Sequence, residues 1–221
     1  MRRSAFVLSG LIFLSALVAA SAAPDPRIVI RQTADTLIGV IKEGKKYFPE
    51  DPERFYKEVE KVLDPTIDFD TFSRGVMAVY YKRATPAQRT QFEATFKAGL
   101  IRTYGKALLD FGDESIVVLP SDRPQTQPDR DSVKMEVHSK EGKIYPVIYS
   151  MRLGDDGSWR MYNIIINGIN IGLTYRNQFI SAMNAPENKG SLDAVINGWG
   201  ETIAHIDPAT QGTPETSSGE E

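Results

Sequence analysis

Apolar residues recur along this chain with two different periods, and the switches between them divide it into three stretches. Over 27–46, Ile30, Ala34, Leu37 and Ile41 fall at i, i+4, i+7 and i+11, the spacing of one buried helix face. Lys42, Lys45 and Lys46 gather at its C-terminal end, where cations suit the helix dipole, and Pro49 lies just beyond. Asp51-Pro52 reads as an N-cap followed by a proline at the first helical position. Phe55, Val59 and Val62 then face inward, and Pro65 closes this second helix. A third helix is predicted from near Asp70, with Phe72, Val76, Val79 and Tyr80 as its apolar side. Thr85-Pro86-Ala87-Gln88 has the composition of a capping box, and a fourth helix runs from it towards Asp110. Its stripe is Phe92, Phe96, Leu100, Thr103 and Ala107, broadened by Ile101, Tyr104 and Leu108.

After Asp110 the period drops to two. Ser115–Leu119 is a short apolar strand, and the proline-rich, polar stretch from Pro120 to Arg130 is a loop. Val133, Met135 and Val137 alternate with polar neighbours, as do Val147, Tyr149, Met151 and Leu153, with Glu141-Gly142-Lys143 as the turn between them. Asp155-Asp156-Gly157 is the next turn, and Trp159 to Ile166 is a fourth strand, apolar on both faces towards its end. Helical spacing then returns over Ile171–Ala185 and again after Ser191, where Leu192, Val195, Ile196, Trp199 and Ile203 recur. The expected architecture is α+β: four helices, a four-stranded antiparallel meander, then two helices. The natural packing is a curved sheet with helices in its concave face.

The two ends read differently from the middle. Met1-Arg2-Arg3, an apolar run from Ala5 to Val18 and the small residues Ala20-Ser21-Ala22 make a cleavable export signal over residues 1–22. The apolar run is shorter than the roughly 20 residues that span a bilayer. The expected domain covers residues 23–206. Residues 207–221, rich in Pro, Gly, Ser, Thr and Glu, are expected to be disordered. Loss of Arg2 and Arg3 would take Lys+Arg from 26 to 24 against 29 Asp+Glu, a net charge of about −5. An acidic chain of this kind speaks against nucleic acid as a partner and against tight residence on anionic lipid surfaces. With no cysteine there is no disulfide framework, no thiol nucleophile, and no lipidation site at the cut.

Catalytic motifs are missing: there is no G-x-S-x-G, P-loop, dinucleotide fingerprint or H-E-x-x-H. The two histidines, His138 on a strand and His205 before the tail, do not make a metal site at that spacing, and no cofactor is expected. Asp110, Asp113 and Glu114 read as a helix-to-strand loop, and Asp155-Asp156-Gly157 as a hairpin turn rather than a calcium loop.

Two stretches carry a resemblance. One is Tyr80-Tyr81-Lys82-Arg83-Ala84-Thr85-Pro86-Ala87-Gln88-Arg89 with Phe92 and Thr103-Tyr104-Gly105. The other is Gly157-Ser158-Trp159-Arg160-Met161-Tyr162-Asn163, Gly168-Ile169-Asn170 and Arg176-Asn177-Gln178-Phe179. Together they resemble the MlaC-type family, the toluene-tolerance auxiliary proteins of Gram-negative bacteria, over about residues 27–205. Asn163 stands where that family usually has Asp, and Asn170 where it has Ser.

The resemblance implies a single domain of the nuclear-transport-factor-2 type that encloses an apolar cavity. It implies a periplasmic carrier of diacyl phospholipid, without catalytic residues, that maintains outer-membrane lipid asymmetry. The implied partners are an outer-membrane lipoprotein–porin complex and an inner-membrane ABC transporter, met through its hexameric periplasm-facing subunit. A tail of about 16 carbons gains on the order of 12 kcal/mol on leaving water, so such a cargo needs an enclosed apolar site. The expected lining is the inward side of the fourth helix with the alternating strand residues: Phe92, Phe96, Leu100, Tyr104, Val133, Met135, Val147, Tyr149, Met151, Met161 and Ile165. Two other readings stand beside this one. One is an enzyme of the same fold, for which Tyr149 is the candidate acid or base. The other is a lipoprotein chaperone or adaptor, which would use an apolar surface.

Overall fold

Each helix begins where a short polar side chain meets the free backbone amides of its first turn. The computed structural model describes residues 25–111, 114–122 and 124–204. The expected export signal, Asp113, His205 and the expected disordered tail lie outside the described residues, as does the side chain of Ile203. Helix α1 (Pro26–Gly44) is capped by Asp25, which accepts from the Arg27 amide at 2.9 Å. Asp51 caps α2 (Pro52–Leu63), and Asp68 caps α3 (Phe69–Met77), which starts slightly ahead of the expected Asp70. A 3-10 turn, Ala78–Arg83, leads into α4 (Pro86–Leu108). There the capping box closes in both directions: the Gln88 amide donates to Thr85 Oγ1 and the Thr85 amide to Gln88 Oε1.

The sheet is an antiparallel meander of five strands in chain order: β1 (Ser115–Val118), β2 (Arg130–His138), β3 (Ile144–Leu153), β4 (Trp159–Ile166) and β5 (Ile169–Asn170). The expectation was four. The fifth arises because Asn167 and Gly168 both take positive φ, 49° and 84°. That is the backbone of the two-residue hairpin that Asn-Gly favours, and it folds two more residues back on Ile165 and Ile166. Asn170 ends β5 and caps α5 (Ile171–Asn184) through the Leu173 amide. Ser191 caps α6 (Leu192–Ala204) through the Ala194 amide. The expected α+β architecture of six helices and a curved, unclosed antiparallel sheet therefore holds, with one strand added. No helix of the described residues is long and apolar enough to cross a membrane.

The core has three parts. Residues of α3, α4, α5 and α6 bury an aromatic cluster; the inward face of the sheet and α1 bury a second; α1, α2 and α4 bury a third around Phe55, Val59 and Ile101.

Candidate functional site

Paired residues in an antiparallel ladder point to the same face of the sheet. Val133 pairs with Tyr149, Met135 with Val147, and Met151 with Met161. All six are buried in one cluster, together with Val118, Trp159 and Ile30 of α1. The sequence thus places these six on one wall.

Ile165 is not on that wall. Strict alternation from Met161 would carry the inward phase to Ile165, but β4 contains a bulge: Met161 pairs with Met151 and Asn163 with Ser150, leaving Tyr162 as an extra residue. The phase flips there. Ile164 and Ile166 point inward, opposite Tyr149 and Val147, and Ile165 pairs with Ile148 on the other face.

The helix residues form a different wall. Phe92, Phe96 and Leu100 are buried, with Tyr104 half-buried beside them, in the aromatic cluster of α3, α4, α5 and α6 rather than against the strands. Phe92 is edge-on to Phe179 at 4.9 Å and to Trp199 at 5.3 Å, and Phe96 is edge-on to Tyr175 at 5.4 Å. The expected single lining is therefore two clusters. Sequence reasoning left Tyr175, Phe179 and Trp199 out of the site, although Tyr175, Phe179 and Met183 recur every fourth residue on α5.

The two clusters meet at Ile67, Ile164 and Ile166, each of which packs against both. Ile67 reaches that position through the linker after α2. The Met161 amide donates to the Thr66 carbonyl, and the Asp68 amide donates to the Met161 carbonyl, both at 2.8 Å. The linker thus lies parallel to β4 at the bulge. Arg152 fixes its far end by donating to Asp68 Oδ2 at 2.8 Å and to Thr71 Oγ1 at 2.9 Å.

Helix α1 roofs the sheet wall with Ile30, Val29 and Ala34. Its C-terminal half is anchored elsewhere, where Leu37 and Val40 join Phe55 and Val59. Over the sheet the roof is apolar, with an Arg27–Asp131 ion pair at 3.7 Å on its margin.

Buried side chains of the two clusters make up the apolar interior. Two concavities elsewhere on the molecule are polar. The larger, about 420 Å³, is lined by Asp64, Asp68, Asp70, Glu93, Arg152 and Arg160 among others. The smaller, about 260 Å³, lies among charged residues of α2.

Proton-transfer chemistry finds little to work with in the apolar region. Tyr149 is buried, its hydroxyl donates to Met135 Sδ at 3.7 Å, and burial pushes its pKa far up. A phenol so placed is a poor base and a poor acid near neutrality. His138 Nε2 lies 2.7 Å from Glu136 Oε2 on the same strand. No group of three or more metal-binding side chains occurs among the described residues.

The two family-like motifs do structural work around the clusters. Arg89 donates to the Tyr81 carbonyl at 3.1 Å and lies over the Tyr81 ring, while Gln88 donates to Asp193 on α6 at 2.7 Å. The first motif therefore sets the entry of α4 and ties α6 to it. In the second, Asn163 Oδ1 accepts from the Gly172 amide at 3.0 Å, so β4 holds the first turn of α5. A Cβ on Gly172 would overlap that Asn163 side chain.

Comparison with known proteins agrees with this arrangement. The family described as "MlaC protein" matches residues 31–201. The toluene tolerance protein ttg2D of Pseudomonas putida is 37% identical over 195 residues, covering 88% of each chain. The intermembrane phospholipid transport system binding protein MlaC of Haemophilus influenzae is 22% identical over 169 residues, covering 75% of this chain and 77% of its own. Among solved structures, a phospholipid-binding protein from Ralstonia solanacearum, determined in complex with a phospholipid, superposes with a TM-score of 0.72. It is 23% identical and covers 82% of this chain and 98% of its own, a likeness of fold.

Proposed function

The chain belongs to the MlaC family, and from that premise we propose that it is a periplasmic carrier that holds diacyl phospholipid and moves it between the inner and outer membranes. The observation that carries this reading is the continuity of the two apolar clusters through Ile67, Ile164 and Ile166, roofed on the sheet side by a helix. Acyl chains take their place on the sheet wall by parting α1 from it. Contacts between Ile30, Val29 and the strand residues are apolar, and hydrocarbon replaces them like for like. The strands keep their backbone ladder throughout, so opening exposes no unpaired amide.

The cargo's tails leave one apolar medium for another, so loading is close to isoenergetic and direction is set by the partners. In this reading those partners are an outer-membrane lipoprotein–porin complex and an inner-membrane ABC transporter with its hexameric periplasm-facing subunit. The outcome is maintained lipid asymmetry. The export signal over residues 1–22 delivers the chain to that compartment.

The test is native mass spectrometry of the protein purified from a Gram-negative periplasm. Diacyl phospholipid should co-purify, and lipid-free protein should reload from vesicles. Absence of bound phospholipid together with failure to reload would sink the carrier reading. The wall itself is tested by Met151→Trp, which adds bulk at the fully buried centre of the sheet face. Occupancy should fall, and unchanged occupancy here and in a Val133→Phe companion would rule the sheet wall out.

A further inference from the structure

Tyr175 is wholly buried at the heart of the aromatic cluster, yet its hydroxyl has no hydrogen-bond partner among the described residues. Among the described residues the other buried hydroxyls are served: Ser73 donates to the Asp70 carbonyl and Tyr149 to Met135 Sδ. A phenylalanine at 175 would fill nearly the same space with no orphaned oxygen, so the hydroxyl is a cost that packing does not require. Beside it lies the Tyr104 hydroxyl of α4, near enough that each perturbs the other's ionisation but short of hydrogen-bond geometry. Tyr104 is half-buried, which places the pair where the aromatic cluster approaches the outside. Trp199 Nε1 in the same cluster is also a buried donor without a partner among the described residues, and the two phenols add theirs for an incoming oxygen.

Resting on the carrier reading, we propose that Tyr175, assisted by Tyr104, donates to an ester carbonyl of the bound lipid. The headgroup phosphate remains in water, and the glycerol esters are the remaining acceptors of a diacyl phospholipid. The carbonyl completes Tyr175, fixes how deep the glycerol sits, and directs the tails past Ile164 and Ile166 towards the sheet wall. Selection for ester-linked over ether-linked chains follows. An ether oxygen is a weaker acceptor two bonds nearer the glycerol carbon than the ester carbonyl oxygen, and it leaves the buried donor unserved.

The experiment loads lipid-free protein from vesicles of equimolar diester and dialkyl-ether phosphatidylethanolamine with matched chains, and reads bound species by native mass spectrometry. Wild type should enrich the diester about tenfold, the effect expected of one buried hydrogen bond. In Tyr175→Phe the diester-to-diether ratio should fall to near one, and in Tyr104→Phe it should fall between that value and wild type. Lipid-free Tyr175→Phe should melt at or above the wild-type temperature, because it loses a hydroxyl that the fold leaves unserved. Equal uptake of both lipids by wild type would mean that water serves the hydroxyl, and would overturn the inference while leaving the carrier intact. Retention of the diester bias in Tyr175→Phe, or a clear fall in its lipid-free melting temperature, would overturn it as well. Uptake of neither lipid by wild type would remove the carrier reading, and this inference with it.

Discussion

Asn163 shows how one side chain ties sheet to helix. Its Oδ1 occupies the amide of the second residue of α5, a group that otherwise has no intrahelical partner. Asn163→Ala leaves that amide unserved and should cost about 0.5–2 kcal/mol in urea denaturation. Asn163→Asp keeps the acceptor and puts a negative charge at a helix N-terminus, so it should gain roughly 0.3–1 kcal/mol at pH 7. Glu93 and Asp68, which both line the larger polar concavity, respond to pH in opposite senses. Burial, then the charges of Asp70, Asp68 and Asp64, raise the Glu93 pKa against the pull of Lys97. The folded protein therefore holds that proton more tightly than the unfolded chain. Ionised Glu93 lowers stability above its folded pKa, and this loss vanishes below the unfolded value of about 4.3. Glu93→Gln should melt above wild type at pH 7, with the gap closing below about pH 4; a constant gap across that range would contradict the assignment. For Asp68, burial raises the pKa, but hydrogen bonds from Thr71 and the charge of Arg152 outweigh it, and the net shift is downward. Its stabilisation is present above about pH 4 and is lost as pH falls through the depressed folded value.

The Asn167-Gly168 hairpin carries more than a turn. It folds β5 onto β4 and delivers Asn170 to its place as the cap of α5. Gly168→Val forces a β-branched residue to φ near 84° and should cost about 1–2 kcal/mol or more, read as a drop in urea midpoint at unchanged slope. This element was visible in the sequence as an Asn-Gly pair, but the apolar run through Ile164, Ile165, Ile166 and Ile169 hid the reversal because it stays apolar on both sides of the turn. Helices were legible for a local reason: their caps and prolines, from Asp51-Pro52 to Thr85-Pro86, are written in adjacent residues. Six strand residues of the candidate wall were legible because alternation is also local. Ile165 was not, because the bulge at Tyr162 is fixed by pairing with β3 and with Thr66–Asp68 of the linker, partners distant along the chain. The separation of the α4 stripe from the sheet wall was hidden for a related reason. Periodicity says which face of a helix is buried and leaves open whether another helix or a sheet buries it.

At the scale of the whole molecule, charge and interior answer different questions. The interior is hydrocarbon and aromatic, so in the proposed carrier affinity for lipid would come from apolar contact and change little with salt. The surface is acidic, with 29 Asp+Glu against 26 Lys+Arg before any cleavage and a larger excess if residues 1–22 are removed. Long-range repulsion from an anionic bilayer therefore acts on the approach, while the exchange step inside the protein is insensitive to it. Pickup of a fluorescent phospholipid by lipid-free protein should slow as the anionic fraction of donor vesicles rises at low ionic strength. It should recover in about 0.5 M salt, where the screening length falls to roughly 4 Å. The amount bound at saturation should not depend on either variable. A pickup rate that instead climbs with anionic lipid would mean that a basic face engages the membrane directly. Collisional exchange with bilayers would then replace the proposed handover between protein partners.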